Sequence, residues 1–245
     1  MSDDLLDIVK KIPKDKLPSH VAIVLDGNRR FAKRLNLDPW KGHEWGEKKV
    51  QKVLDWSKEL GIKELTFYAF SLQNFDRPKQ EFDYILKLFL TAAEKLFDDE
   101  RLEKYNLKIR FIGRINLFPE KIQKLMNRIM EKTKNNSDYI VNFAMAYGGR
   151  EEILDAVKKI IPEIKEGTIN SDNLSEEMFS KFLYLADEPD LIIRTGGEKR
   201  TSNFLLWQSF YSEWIFLDKF WPEFEREDFL KCIIDYTKRE RRIGK

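Results

Sequence analysis

The chain has 245 residues, of which 42% are hydrophobic and 35% charged, with a formal net charge of +2. This balance excludes a disordered chain and a polycation held to nucleic acid by bulk charge, so no nucleic-acid partner is expected and any anion site must come from local clustering of Arg and Lys. A single cysteine, Cys232, excludes an internal disulfide, and no apolar run approaches the roughly 20 residues needed to span a bilayer. With no secretory signal read at its start, a cytoplasmic protein with at most peripheral contact to a membrane surface is expected.

Residues 1–16 read as a short helical segment, and residues 17–245 as one α/β domain. Along the chain, apolar β-rich runs predict strands at Val21–Leu25, Leu65–Phe70, Leu107–Ile112, Ile140–Ala146 and Leu191–Ile193, with a weaker sixth at Trp214–Leu217. Between them, apolar residues recur at helical spacing, as in Val50, Val53, Leu54 and Leu60, in Ile122, Leu125, Met126 and Ile129, and in Ile153, Leu154, Val157 and Ile161. Strands apolar on both faces, alternating with helices, predict a mostly parallel six-stranded sheet flanked by helices. The stretch Glu166–Ser175 reads as a polar loop. From Phe82 to Phe97 the helix carries more apolar residues than one core-facing stripe needs. On the residues alone, burial between the sheet and another subunit is preferred; the alternative is a helix that lines an apolar cavity.

The polar residues of note fall where strands end, which is where parallel α/β sheets bind ligands. They are Asp26-Gly27-Asn28-Arg29-Arg30 after the first strand, Ser71, Asn74 and Arg77 after the second, and Tyr147-Gly148-Gly149-Arg150 after the fourth. The fifth strand leads into Arg194 through Arg200, with Ser202 and Asn203 beyond, and the last strand region carries Glu213. Glycine lets backbone N–H groups approach phosphate oxygens, and arginine gives permanently charged, bidentate contacts to phosphate. A carboxylate among such groups would hold Mg²⁺ together with substrate oxygens. Taken singly, Asp26 could cap a helix, Arg194 could pair with Glu198 and the glycines could form a turn. Several strand ends loading one rim with phosphate-binding groups favour a diphosphate site. His20 reads as a packing or capping residue. His43 reads equally as a helix-end residue or as an acid/base beside a diphosphate. Two histidines and one cysteine, widely separated, argue against zinc, and no P-loop motif is present.

The run His20-Val21-Ala22-Ile23-Val24-Leu25-Asp26-Gly27-Asn28-Arg29-Arg30-Phe31-Ala32 resembles the opening motif of the cis-prenyltransferase (undecaprenyl diphosphate synthase) family. Gly42-His43 with Gly46, Tyr68 through Pro78, Ala146 through Arg150 and Asp190 through Glu213 resemble its later blocks, in order, over about residues 17–244. Arg29 and Phe31 look closer to the archaeal and eukaryotic branch. The resemblance implies a Mg²⁺-dependent homodimer that condenses isopentenyl diphosphate with an allylic prenyl diphosphate into a medium-chain, Z-configured polyprenyl diphosphate.

It also implies roles for particular residues. Asp26 and Glu213 would serve the metal, while Gly27, Asn28, Arg29 and Arg30 would cradle the allylic diphosphate. Arg194, Arg200 and Ser202 would hold isopentenyl diphosphate. Asn28, Ser71, Asn74, Arg77 and His43 would position substrate or take a proton, and Phe75 would line the substrate site. Arg242 and Gly244 would reach a partner's site, and the helix from Phe82 would wall a product tunnel. Two positions depart from the family pattern: Gln73 stands for a usual Glu, and Pro39 for a usual Arg that contacts phosphate. Asp3-Asp4-Leu5-Leu6-Asp7 matches the metal motif of the all-helical trans-prenyl synthases, but at a helix start its acids suit the helix dipole. Within the cis family, the alternatives are another mode of prenyl coupling or a non-catalytic partner subunit; the latter typically loses the Asp-Gly-Asn loop or the arginines, both kept here.

Overall fold

The computed structural model describes residues 2–240. Six parallel strands form one sheet: β1 His20–Val24, β2 Glu64–Ser71, β3 Leu107–Ile112, β4 Tyr139–Tyr147, β5 Leu191–Arg194 and β6 Glu213–Phe216. Their order is β3-β4-β2-β1-β5-β6. Each lies within one residue of its sequence expectation. The central strands read as unbroken apolar runs because both faces are covered, and every residue of β1 and β5 is buried.

The helices are α1 Ser2–Lys10, α2 Asn28–Arg34, α3 Gly42–Leu60, α4 Lys79–Phe97, α5 Arg101–Lys104, α6 Glu120–Lys132, α7 Gly149–Lys165, α8 Glu176–Ser180 and α9 Arg226–Lys238. Side chains alternate across the strands and split the core in two. Val21, Ile23, Leu65, Phe67, Phe111 and Val141 meet α3, α6 and α9 through Val53, Met126, Phe229 and Ile233. Leu6 and Val9 of α1 join this layer, so the Asp-Asp-x-x-Asp run belongs to a packed helix, with Asp3 and Asp4 in its first turn. On the other face Ala22, Val24, Tyr68, Ala144 and Ile192 meet Leu185, Phe204 and Leu205. Each fully buried Phe in these layers contributes about 1.5–3 kcal/mol relative to exposure. The expected loop over Glu166–Ser175 contains only a 3₁₀ turn, Ser171–Asn173.

His20 is a core residue, as expected. Its Nε2 lies 2.8 Å from Thr66 Oγ1, and burial pushes its pKa down to about 4.

Candidate active site

Asp26 stands two residues past the end of β1, and its backbone is pinned from two sides. Its carbonyl accepts from Thr195 Oγ1 at 2.8 Å and from Trp221 N at 2.9 Å. Its carboxylate accepts from Arg194 Nη2 at 2.9 Å on one oxygen and from Arg30 Nη2 at 3.1 Å on the other. Arg194 closes β5 and is only 3% exposed. Its Nη1 donates to Ser202 Oγ at 2.6 Å and to the Arg200 carbonyl, while its Nε has no hydrogen-bond partner. A buried guanidinium needs this many acceptors, because an uncompensated buried charge is strongly destabilising. Arg30 also reaches Glu198 at 3.4 Å, and Glu198 accepts from Arg200 at 2.6 Å. Asp26, Arg30, Arg194, Glu198, Arg200 and Ser202 therefore form one charge-assisted network.

The loop carrying this network is strained. Ser202 and Asn203 have φ of 51° and 63°, in the left-handed region that costs non-glycine residues of the order of 1 kcal/mol or more each. Asn203 holds the turn by accepting from Arg150 N and donating to Glu151, both at 2.9 Å.

Gly27 permits the turn after Asp26. Its φ is 105°, and a Cβ there would lie 2.8 Å from the Phe220 ring. Asn28 follows, 9% exposed, donating to Leu25 O at 3.1 Å while its Oδ1 has no partner. The Gly42-His43-Glu44-Trp45-Gly46 segment is glycine-rich because α3 presses on this asparagine. A Cβ at Gly46 would fall 2.5 Å from Asn28 Oδ1, and one at Gly42 only 1.9 Å from Asn28 O.

A second cluster faces the first. Ser71 and Asn74 bond reciprocally across the 3₁₀ turn Leu72–Asp76, with Ser71 N donating to Asn74 Oδ1 at 3.0 Å. Arg77 Nη1 donates to Glu81 at 2.5 Å and lies 3.3 Å from His43 Nε2. Arg29 Nε approaches the same Glu81 carboxylate at 3.4 Å. Burial, helped by the Arg77 and Arg29 cations, pushes the His43 pKa down to about 3, so its ring is neutral. Glu81 is 2% exposed and escaped the sequence reading. The signal was there: a carboxylate one helical turn beyond Arg77.

One cavity of about 730 Å³ joins the two clusters. Asp26, Asn28, Arg29, Arg30, Arg194 and Arg200 line its polar end, with His43, Ser71, Asn74 and Arg77 beside them. Beyond them it runs between the sheet and the α3–α4 pair, along Val50, Leu54, Ile85, Leu88, Phe89 and Leu96. The α4 helix thus has a cavity face, with Phe82, Leu86 and Leu90 packed against the core. Ala69 is the extra residue of a β-bulge, since Tyr68 pairs with Ala144 and Phe70 with Met145. The bulge turns its side chain to the cavity wall.

Several expected residues lie elsewhere. Phe75 is not at the cavity wall; it packs with Phe70, Phe82 and Phe118 at centroid distances of 5.1, 5.6 and 5.5 Å. Glu213 does not sit on the carboxyl-end rim. It opens β6 in register with Leu191, about 10 Å below the level of Val24, and accepts from Arg239 at 2.7 Å. Within one chain it does not meet Asp26. Arg242 and Gly244 lie outside the described residues. Ser202 acts one step back, by orienting Arg194. Gln73 lines a separate small cleft with Arg150 and Thr201. Pro39 begins a 3₁₀ turn, and the cations near it are engaged: Lys41 by Tyr84 at 3.1 Å and Glu44 at 3.2 Å, Arg34 by Glu223 and the Phe220 ring.

The profile of the prenyltransferase family that describes undecaprenyl diphosphate synthases matches residues 24–244. A tritrans,polycis-undecaprenyl-diphosphate synthase (geranylgeranyl-diphosphate specific) from Methanocaldococcus jannaschii is 50% identical over 96% of this chain and 85% of its own length. The protein of the same name from Thermoplasma volcanium is 46% identical over 99% of this chain and 94% of its own. Among solved structures, the lavandulyl diphosphate synthase of Lavandula x intermedia, in complex with dimethylallyl diphosphate, superposes with a TM-score of 0.87. It is 32% identical, covering 94% of this chain and 100% of that one. With the strand-end motifs, the parallel sheet and these relatives in agreement, the chain belongs to the undecaprenyl diphosphate synthase family of cis-prenyltransferases and is an enzyme of prenyl condensation.

Proposed function

We propose that this enzyme elongates an allylic prenyl diphosphate with isopentenyl diphosphate into a Z-configured polyprenyl diphosphate of medium length. The observation that carries the reading is the continuity of one cavity, from the Asp26–Arg194 network to the apolar walls of α3 and α4. The arginines take the diphosphates: Arg29 and Arg30 with Gly27 and Asn28 on the allylic side, Arg194 and Arg200 on the isopentenyl side. The allylic C–O bond breaks as the new C–C bond forms, and a proton leaves the isopentenyl unit. His43, held neutral, can accept a proton, while Asn28, Ser71, Asn74 and Arg77 set the geometry.

Magnesium belongs to this reading. One carboxylate, Asp26, flanked by guanidiniums suits an ion that takes one or two protein carboxylates and completes its shell with water and phosphate oxygens. When bound, the ion neutralises charge on the departing diphosphate. A homodimer is supported by the exposed row Leu154, Val157 and Ile161 on α7, apolar surface that a second copy would cover. Peripheral membrane contact is supported by exposed Leu35 and Leu37, after α2, and Trp45 of α3.

The primer is a longer allylic diphosphate. Pro39 removes a phosphate-binding arginine, Lys41 and Arg34 are engaged elsewhere, and the relatives are named as specific for geranylgeranyl diphosphate. A second reading, coupling other than head-to-tail, is favoured by one observation: the solved neighbour is named for lavandulyl diphosphate. Incorporation of labelled isopentenyl diphosphate with primers of increasing length, in Mg²⁺ and in EDTA, tests the proposal. Elongation in Mg²⁺ alone is expected, and no incorporation with any allylic primer would sink it.

A further inference from the structure

One carboxylate of the site lies off the cavity wall. Arg29, Arg77 and His43 line the cavity, while Glu81 sits behind the two arginines, 2% exposed, in the first turn of α4. Both arginines approach the same oxygen of Glu81, and they do so unequally. Arg77 Nη1 donates to Oε1 at 2.5 Å from a side chain only 20% exposed, and it stands 3.3 Å from His43 Nε2. Arg29 arrives from α2, with Nε 3.4 Å from that oxygen and a side chain 48% exposed. The Arg77 bond is charge-assisted and sheltered, whereas the Arg29 contact is long and half in water, where ion pairs are worth little. Arg77 therefore stays, and Arg29 is the arm that can leave.

The other arginines of the rim are paired differently. Asp26 and Glu198, the partners of Arg30, Arg194 and Arg200, line the cavity themselves and are part-exposed. They can turn to solvent or to a cation when a diphosphate takes their arginines. Glu81 has no such outlet. Its charge stays where it is, one arginine's reach from the diphosphate pocket, and Arg77 alone suffices to keep it compensated.

We propose that Glu81 is an internal counter-anion that competes with the allylic diphosphate for Arg29. In the free enzyme Arg29 rests on Glu81. An arriving diphosphate draws it away, while Arg77 remains on the carboxylate and beside His43. Once the allylic C–O bond has broken, the diphosphate left behind must depart before the next unit is added. Because Arg29 has a second anion to return to, diphosphate is held less tightly, in proportion to the time that the arginine spends on Glu81. The inference rests on the elongation reading above, in which one diphosphate leaves for every unit added.

Calorimetric titration of the full chain with inorganic diphosphate, in EDTA, tests this without turnover. Glu81→Gln removes the competing charge and keeps an acceptor for Arg77. It should tighten diphosphate binding by about 3- to 10-fold, the scale of one weak charged contact, whereas structural damage would weaken it. Glu81→Asp keeps the charge that buried Arg77 needs and draws it back from Arg29. It should also tighten binding, by less, and it carries the test if the glutamine variant does not fold. In an Arg29→Gln background neither change at Glu81 should matter. Unchanged or weaker binding in the folded Glu81 variants, or tightening that persists without Arg29, would overturn the proposal. Since the titration needs no turnover, failure of wild type to elongate would sink the elongation reading and leave the competition for Arg29 still tested.

Discussion

The two ends of the cavity are built on opposite principles. At the carboxyl ends of the strands, Arg194 is buried and bonded to Asp26, Ser202 and the Arg200 carbonyl, and the Ser202–Asn203 turn is held in left-handed geometry. At the amino ends the polar groups lie nearer the surface: Asp55 is exposed and 3.8 Å from Arg101, and Lys58 rests on the Tyr105 ring. A diphosphate that must depart in one direction needs donors fixed before it arrives, since preorganised charge costs no reorganisation during the reaction. A hydrocarbon tail needs only an apolar surface that excludes water. The comparison implies that substitutions at the polar end should change turnover, and substitutions along the bore should change product.

The largest effect should come from Asp26→Ala. Loss of the carboxylate shared by Arg30 and Arg194 should lower kcat by roughly 10³-fold, the scale at which one preorganised charged group acts, and should also lower stability by leaving the buried Arg194 charge uncompensated. Activity within a few-fold of wild type would move the site elsewhere.

At the amino end of β1, His20 should affect stability and not turnover. Its pKa is about 4 in the folded chain and 6.5 in the unfolded chain, so the unfolded state binds more protons between those values. Stability is therefore complete above pH 6.5 and falls by about 3 kcal/mol as the pH drops to 4. Urea unfolding across this range should show that loss in wild type and a shallower slope in His20→Gln. Equal slopes would mean that the ring is not buried neutral.

Arg194→Ala should raise the KM for isopentenyl diphosphate by about 10- to 100-fold, the loss of charge-assisted bonds. Arg200→Ala, removing an exposed guanidinium, should do less. An unchanged isopentenyl KM with a raised primer KM would reverse the two pockets. Within the bore, Ala69→Leu should shorten the product ladder, because the β-bulge turns this side chain to the cavity in which elongation is proposed. An unaltered ladder would show that the chain runs elsewhere.

The smallest effect is expected at Pro39. Pro39→Arg should raise kcat/KM most for the shortest primers, which have the least tail to bury at about 0.8 kcal/mol per CH₂. Equal gains across the primer series would disconnect this position from primer choice.

Much of this was legible in the sequence, for a physical reason. Strands covered on both faces must be apolar throughout, so five runs stood out and the sixth, at the sheet edge, read more weakly; parallel strands deliver their following residues to one rim. Three residues show where that reasoning stops. Glu213 was assigned to a strand region, but only the register with Leu191 reveals that it opens the strand and so faces the opposite end. Phe75 lies among motif residues, yet in three dimensions it meets three other phenylalanines, a neighbourhood that sequence order does not display. Glu81 looked like an ordinary first-turn acid of α4, and only its burial between Arg29 and Arg77 marks it as part of the site.

The most direct test of the account is the stereochemistry of the product. Wild-type enzyme, Mg²⁺, isopentenyl diphosphate and geranylgeranyl diphosphate are incubated together, and the dephosphorylated product is analysed by mass spectrometry and ¹³C NMR. The account predicts a chain longer than the primer in which every added unit is Z. Added units that are E, or a coupled product in which isopentenyl units are absent, would contradict it.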